Sequence, residues 1–179
     1  MKQIVLLLTI LVLGSCSTMN QQEKAAAKAA DDAQQLLLFN QAVEALNAKD
    51  FILEADRVEF KRGNFRYVQP NTNYVGVKDK RATVQLALSN FSSGPNGIGG
   101  ITVEGTTSGV EMKTDSKGNV SYFMMVQGTG ISAQVTFNLI KGTNKCTAIV
   151  TPNFSSNRIS FTGYLYPTEE SNVFKGRVL

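Results

Sequence analysis

The sequence predicts a mainly β protein, an antiparallel sandwich or flattened barrel of about eight to ten strands with one N-terminal helix. The first observation behind this prediction is that apolar and polar residues alternate with a period of two from Phe51 onward. The second is that clusters rich in Gly and Asn interrupt the alternation at short intervals, as turns between short strands do. The third is that an apolar stripe of helical period lies just before Phe51. At 179 residues the chain has room for one ordinary domain.

The chain begins with the order of a secretory signal peptide. A short basic segment, residues 1–3, precedes the mostly apolar residues 4–13, and the small residues Gly14 and Ser15 follow. Ten helical residues span about 15 Å, half of the roughly 30 Å hydrocarbon core of a bilayer. Because this length is too short for a permanent transmembrane helix, we interpret residues 1–15 as a signal peptide that is removed.

Cys16 follows this segment directly and is one of two cysteines in the chain. The run Leu13-Gly14-Ser15-Cys16 resembles a bacterial lipobox, with an aliphatic residue three positions before the cysteine and small residues between them. The resemblance implies lipidation of the thiol, cleavage before Cys16 and acylation of the new amine. Several acyl chains give lasting attachment to a membrane, whereas one gives only marginal attachment. We therefore predict that Cys16 is lipidated; the alternative is an ordinary secretory signal with an incidental cysteine.

The segment after Cys16 is predicted to be a tether that leads into the helix. Residues 16–35 are polar and Ala-rich, and residues 23–35 resemble the Glu-Ala-Lys spacers that form semi-rigid helices. From residue 36 the pattern changes, because large apolar side chains recur three or four positions apart on one helical face. These are Leu36, Phe39, Val43 and Leu46. We expect this face to pack on the protein's own core, and we assign 36–179 to a single unit of helix plus β domain.

Strict alternation is clearest in four later segments, which are 82–89, 119–127, 132–140 and 158–166. Each places one set of side chains on a buried face and the other set on an exposed face. Cys146 falls on the apolar face of a further strand beside Ala148 and Val150. We therefore expect a buried and inert thiol there.

Composition excludes several classes of function. The chain has no histidine, which removes Ser-His-Asp and Cys-His catalysis and His-bearing zinc sites within this chain. The 18 basic and 14 acidic residues give a formal charge of +4, and the basic residues are scattered. A nucleic-acid binder concentrates them on one face. We therefore predict no nucleic-acid partner, no cofactor, no metal site and no catalytic residue.

Two weak candidate sites remain. Four tyrosines flank strand ends and are candidates for a rim that binds sugars or peptides: Tyr67, Tyr74, Tyr164 and Tyr166. Glu54 and Asp56 form a candidate acidic pair, since strand alternation places them on one face with Ile52, Val58 and Phe60. Paired carboxylates can hydrolyse glycosides at a suitable separation. A salt-bridged outer face beside Arg57 and Lys61 is the other interpretation of this pair.

The layout of the chain resembles a known family. It runs from a lipobox and helix into "ALNAKDFILEADRVEFKRG", then "NYVGVKDKRATVQL", a Gly-rich loop into "GGITVEG", and "ISFTGYLYP". This is similar to the small Bacteroidetes-type lipoproteins described as domain of unknown function 4251, over about residues 36–179. The resemblance implies a cell-envelope setting and a β-rich fold, and it brings no catalytic residues. The residues after Cys16 are uncharged up to Glu23, which favours the periplasmic side of the outer membrane over the cell surface.

These observations together predict an envelope lipoprotein that is attached to the outer membrane by its lipid anchor and faces the periplasm. Its expected role is non-catalytic binding of a small ligand, a glycan or a partner protein. One alternative is a carboxylate-dependent hydrolase in the periplasm that uses Glu54 or Asp56. Another alternative is a structural envelope factor.

Overall fold

The computed structural model describes residues 15–88 and 94–179, with side chains from residue 21 onward. The predicted signal peptide lies outside these residues except for Ser15, and so does the side chain of Cys16. One helix, α1, spans Ser15–Ala48. The strands are β1 (Asp50–Phe60), β2 (Phe65–Tyr67), β3 (Tyr74–Lys78), β4 (Arg81–Ala87), β5 (Gly100–Thr114), β6 (Val120–Gln127), β7 (Ser132–Leu139), β8 (Lys145–Pro152) and β9 (Ile159–Pro167). Short 3₁₀ turns occupy Pro70–Thr72 and Thr168–Glu170.

Eight of these strands form a closed antiparallel barrel. Neighbouring strands pair in the order β1-β3-β4-β5-β6-β7-β8-β9, and β9 pairs back with β1 from Phe51↔Pro167 to Phe60↔Ile159. The ninth strand, β2, extends the barrel wall by pairing with β1 at Arg57↔Tyr67. Closure removes the free edges that an open sheet leaves for unwanted pairing. The predicted mainly β fold with one N-terminal helix is confirmed, in its barrel form.

Apolar side chains fill the barrel interior. The rings of Phe51, Tyr122 and Phe137 meet edge to face, with Phe51 centroids 5.3 Å from Tyr122 and 5.0 Å from Phe137. Other large side chains that are almost completely buried are Leu53, Val58, Val75, Met124, Leu139, Phe161 and Leu165. Eight strands enclose a space just wide enough for side chains to fill. The interior is therefore a packed core, and the alternation in segments 82–89, 119–127, 132–140 and 158–166 identified its members on those four strands.

The C-terminal turns of α1 pack on β1 and β9. Ala42, Ala45 and Leu46 are buried in the same cluster as the barrel core, with Phe39 and Val43 packed against it. Leu36 was expected to belong to this face, but it is 50% exposed, so docking begins about one turn later. The tether and the docking helix are one continuous helix. Residues 21–34, here called the stalk, are all exposed. Within the described residues, no helix is long and apolar enough to span a membrane.

The barrel has two ends that differ in their connections. At the helix end lie the start of β1, the turns 79–80, 115–119 and 140–144, and the 3₁₀ turn Thr168–Glu170. At the opposite end, here called the distal end, lie the connections 61–64, 68–73, 128–131 and 153–158, together with Leu88 and residues 94–99 of the connection between β4 and β5. This alternation follows from antiparallel order, since successive strands run in opposite directions.

Candidate functional site

The last nine residues, 171–179, form a strap across the outer face of β3, β4 and β5. Its centre is held by the fully buried side chain of Gln85. The Gln85 Nε2 donates to the carbonyl oxygens of Phe174 at 2.7 Å and Thr72 at 3.0 Å. The Gln85 Oε1 accepts hydrogen bonds from the Gly176 N–H and the Thr102 hydroxyl, each at 2.8 Å. All hydrogen-bonding positions of this amide are therefore used.

Both ends of the strap are also fixed. At its start, the Ser171 hydroxyl donates to Glu54 Oε1 at 2.6 Å. At its end, the Leu179 N–H donates to the Thr102 carbonyl oxygen at 3.1 Å. The strap therefore covers a polar row on the outside of the barrel, and it explains why Gln85 and Thr102 are buried on a wall whose other face is the core.

Glu104 on β5 anchors the strap through an ion pair with Lys175. Partial burial raises the pKa of Glu104, but hydrogen bonds from Lys175 and Thr83 outweigh it and hold the pKa of this carboxyl below its usual value. Arg81 adds a third contact at 3.3 Å. The carboxylate thus joins the strap to two strands in its charged form.

A small cleft of about 260 Å³ lies between the strap and the barrel wall. Ile52, Tyr74 and Gly76 line one side of it, and Val173 and Lys175 line the other. Burial and the nearby charge of Glu104 raise the pKa of Tyr74 to about 12, so its phenol stays protonated at neutral pH. This volume is at or below the small end of the range for ligand pockets.

The predicted strand face that joined Glu54 and Asp56 to Ile52, Val58 and Phe60 is interrupted, because Val58 and Phe60 do not lie on it. A β-bulge between Ala55 and Arg57 breaks the register of β1 against β9, and Asp56 is the extra residue. The bulge reverses the alternation, so Val58 points into the core while Ile52 and Glu54 lie on the outer face. A bulge has no signature in the alternation itself, which is why the sequence pattern missed it. Glu54 is engaged in holding the start of the strap.

The structure brings together three of the four predicted tyrosines. Tyr74 and Tyr164 both pair with Glu54 in register, and Tyr166 pairs with Ile52 one step along the same wall. Tyr74 is buried, Tyr164 is 41% exposed, and burial raises the pKa of Tyr166 while a hydrogen bond with Asn144 opposes that rise.

Tyr67 does not join these three tyrosines. It lies on β2, is 79% exposed, and meets Phe65 edge to face at 5.7 Å. The four tyrosines therefore form a group of three on the barrel wall and one separate side chain toward the distal end.

Two larger clefts open at the distal end, on either side of the β1–β2 hairpin. One of about 590 Å³ lies beside β2 and is lined by Arg66, Tyr67, Val68, Gln69, Thr72, Ala87, Leu88 and Ile98. The other, of about 480 Å³, is here called the basic cleft. It is lined by Phe60, Lys61, Arg62, Asn64, Asn157, Arg158 and Ile159. The sequence places Lys61 and Arg62 side by side. It gives no sign that they meet Arg158, which is distant in sequence and adjacent only through the β1–β9 pairing.

Cys146 is completely buried on β8, as predicted. Burial raises the pKa of its thiol to about 12, so at neutral pH it is protonated and unreactive. Within residues 15–88 and 94–179, no three His, Cys, Asp or Glu side chains come together as a metal site would require.

Comparison with known proteins gives a family match and a structural match. The model of the family described as Domain of unknown function (DUF4251) matches residues 33–165. A crystal structure of a DUF4251 family protein from Bacteroides eggerthii DSM 20697 is 44% identical, with a TM-score of 0.68. The alignment covers 83% of this chain and 99% of that chain. A search of curated proteins found no match.

Proposed function

We propose that this protein, which belongs to the DUF4251 family, is a lipid-anchored binding module of the cell envelope. The anchor is Cys16, and the barrel binds its partner non-catalytically through its outer surface and loops. The outer membrane, on its periplasmic side, is the proposed location.

The filled barrel interior is the observation that carries the binding part of this proposal. Phe51, Tyr122, Met124, Phe137 and Phe161 occupy the space that a ligand-binding barrel leaves open, and each is at most 2% exposed. A close-packed interior of this kind admits a ligand only by creating a cavity, which costs several kcal/mol. Binding is therefore assigned to the clefts and loops outside the core.

The anchor part is supported by the sequence before the stalk and by the stalk itself. The run 13–16 fits a lipobox, and the exposed residues 21–34 extend for about 20 Å of helix before the docked turns begin. An exposed helix of this length separates a membrane-bound N-terminus from the barrel, which leaves the barrel surface accessible to a partner.

Intact-mass spectrometry of the native protein tests the anchor. We expect a chain that begins at Cys16 and carries acyl chains, and we expect the protein to partition into a detergent phase. The Cys16→Ala variant should appear in the aqueous phase. A native chain with an unmodified N-terminus, or a Cys16→Ala variant that stays in the detergent phase, would contradict the anchor.

Titration with a fluorescent fatty acid tests the filled interior. We expect no saturable uptake by the full-length protein, because the core offers no space for an acyl chain. Methyl NMR signals of Met124 and Val135, both buried inside the barrel, provide the site-specific readout. Saturable binding that shifts these methyl signals would place the ligand site in the interior and overturn the surface-binding proposal.

A further inference from the structure

We infer that the basic cleft binds an acidic carbohydrate, a sugar unit that carries a carboxylate or a phosphate group. This inference rests on the proposed surface-binding function and names its ligand class and site. The site is formed where the turn 61–64 after β1 meets the loop 153–158 before β9.

The charge of the cleft is the first step. Lys61, Arg62 and Arg158 line it, and within the described residues none of the three forms a salt bridge. Arginine presents a planar fork of donors that matches a carboxylate or a phosphate. The cleft thus offers cationic donors whose charge is not neutralised by the protein itself.

The charge distribution over the whole barrel is the second step. The described residues of the distal connections, 61–64, 68–73, 88, 94–99, 128–131 and 153–158, include no Asp or Glu. The turns at the helix end carry both signs, with Asp79, Asp115, Glu169 and Glu170 on one side and Lys80, Lys117 and Lys141 on the other. Glu59, the carboxylate next to Phe60 at the end of β1, is already paired with Arg57 at 2.6 Å. An anion that approaches the cleft therefore meets unpaired lysine and arginine side chains, which raises its rate of association.

The floor of the cleft is the third step, and it favours a sugar over a simple anion. Phe60 and Ile159 pair directly across β1 and β9, are half-buried, and pack against the core. They present a fixed apolar surface to the apolar C–H face of a sugar ring. The side-chain amides of Asn64 and Asn157 on the rim supply donors and acceptors for hydroxyl groups. A volume of about 480 Å³ lies within the range of ligand pockets.

The same floor disfavours a nucleic acid in this cleft. Single-stranded nucleic acids bind on exposed aromatic faces that stack with successive bases. Phe60 is the aromatic residue lining this cleft, and it packs into the core rather than standing free.

The two walls of the cleft are also held together, because Lys61 Nζ donates to the hydroxyl of Ser156. The cleft is therefore formed before a ligand arrives.

Isothermal titration calorimetry on the full mature protein in detergent, at low salt, tests the inference. The probes are tetragalacturonate for carboxylate sugars and glucose 6-phosphate for phosphate sugars, with maltotetraose as the neutral sugar. Tetraglutamate and a thymidine tetranucleotide are the non-sugar anions. We expect binding of at least one acidic sugar, weakened by added salt, and no measurable binding of maltotetraose. The acidic sugar that binds identifies the anion.

The double variant Arg62→Gln/Arg158→Gln gives the site-specific test. Charge-assisted hydrogen bonds are strong enough that we expect affinity for the acidic sugar to fall by roughly tenfold or more. Lys117→Gln/Lys141→Gln is the matched control, since it removes the same net charge from exposed side chains at the helix end. We expect this control to bind as the unmodified protein does.

Three results would overturn the inference. They are binding of neither acidic sugar, equal loss of affinity in both double variants, and equal or tighter binding of tetraglutamate or the tetranucleotide. None of these results bears on acylation of Cys16 or on fatty-acid exclusion from the interior. The proposed function and this inference therefore fail separately.

Discussion

Gln85 joins three segments that are far apart in sequence, and its substitution should show how much the strap contributes to stability. Gln85→Ala removes four hydrogen bonds and leaves the Gly176 N–H and the Thr102 hydroxyl without their acceptor. Unsatisfied buried groups cost about 1–3 kcal/mol each, so we expect the free energy of unfolding to fall by about 3 kcal/mol.

Urea unfolding measures this change. Gln134→Ala is the matched control, because Gln134 is exposed on β7, and its loss should stay within about 0.5 kcal/mol. If both variants lower the free energy of unfolding by the same amount, the buried hydrogen bonds of Gln85 add nothing beyond the difference in strand propensity between Gln and Ala.

Cys146 should make the folded protein sensitive to alkaline pH. Its thiol pKa rises from 9.0 to about 12 on burial, so the folded state retains a proton that the unfolded state loses above pH 9. Stability is therefore fully present below pH 9 and is lost as the pH rises toward 12. At pH 10.5 the difference between the two states amounts to about 2 kcal/mol.

The measurement compares urea unfolding at pH 7 and pH 10.5 in a Cys16→Ala background. Cys146→Ala removes the thiol contribution but keeps the contribution of the buried Tyr74, whose pKa is also raised. The variant should lose about 2 kcal/mol less between the two pH values. An identical loss in both proteins would mean that the thiol ionises while the protein is folded.

At the scale of elements, the strap should be held in part by one carboxylate. Glu104→Gln removes the charge that pairs with Lys175 and Arg81, so amide hydrogen exchange at Gly176 and Leu179 should become faster. Because the pKa of Glu104 is lowered in the folded state, its contribution is present above pH 4.5 and is lost as the pH falls through the lowered pKa.

Exchange at Gly176 and Leu179 should therefore also rise in the unmodified protein under acid conditions. Glu111→Gln is the control, because Glu111 lies on the same strand with its pKa also lowered by a lysine, Lys113, but is exposed and away from the strap. Unchanged exchange in Glu104→Gln would mean that the strap is ordered by its other contacts, with Gln85, Glu54 and Thr102.

The elements also show which parts of the fold can be predicted from the sequence pattern. Alternation located the ends of β4, β6, β7 and β9 to within two residues, because burial on one face of a strand is a local property. The strap, residues 171–179, has no alternation and no helical period, and its contacts with Gln85 join residues about 90 positions apart. Nothing in the local pattern marks Gln85 as buried, since its neighbours Val84 and Leu86 carry the apolar alternation.

The basic cleft could not be predicted from the sequence for a similar reason. Lys61 and Arg62 are neighbours in the sequence, but Arg158 joins them only when β9 closes the barrel against β1. The predicted face that joined Glu54 and Asp56 to Val58 and Phe60 was wrong because strict alternation does not continue past the bulge at Asp56.

At the scale of the whole molecule, the barrel has one end that the helix covers and one distal end. The helix covers the end where β1 begins, and the clefts with cationic rims open at the other end. If the anchor lies at Cys16, the stalk sets how far the distal end reaches from the membrane without contributing to the core. The stability of the fold and the distance of the barrel from the membrane are therefore set by different residues.

Deletion of residues 25–31 tests this separation. It removes seven exposed stalk residues, shortening the helix by about 10 Å, and should leave the free energy of unfolding unchanged within about 0.5 kcal/mol.

Leu46→Ala in the docked turns should instead lower the free energy of unfolding by about 3 kcal/mol, because Leu46 is 1% exposed within the core. Leu37→Ala, at a side chain 58% exposed, serves as the matched control and should cost little. Thermal unfolding of the four proteins ranks these effects, and a marked loss in the deletion variant would show that the stalk folds as part of the barrel unit.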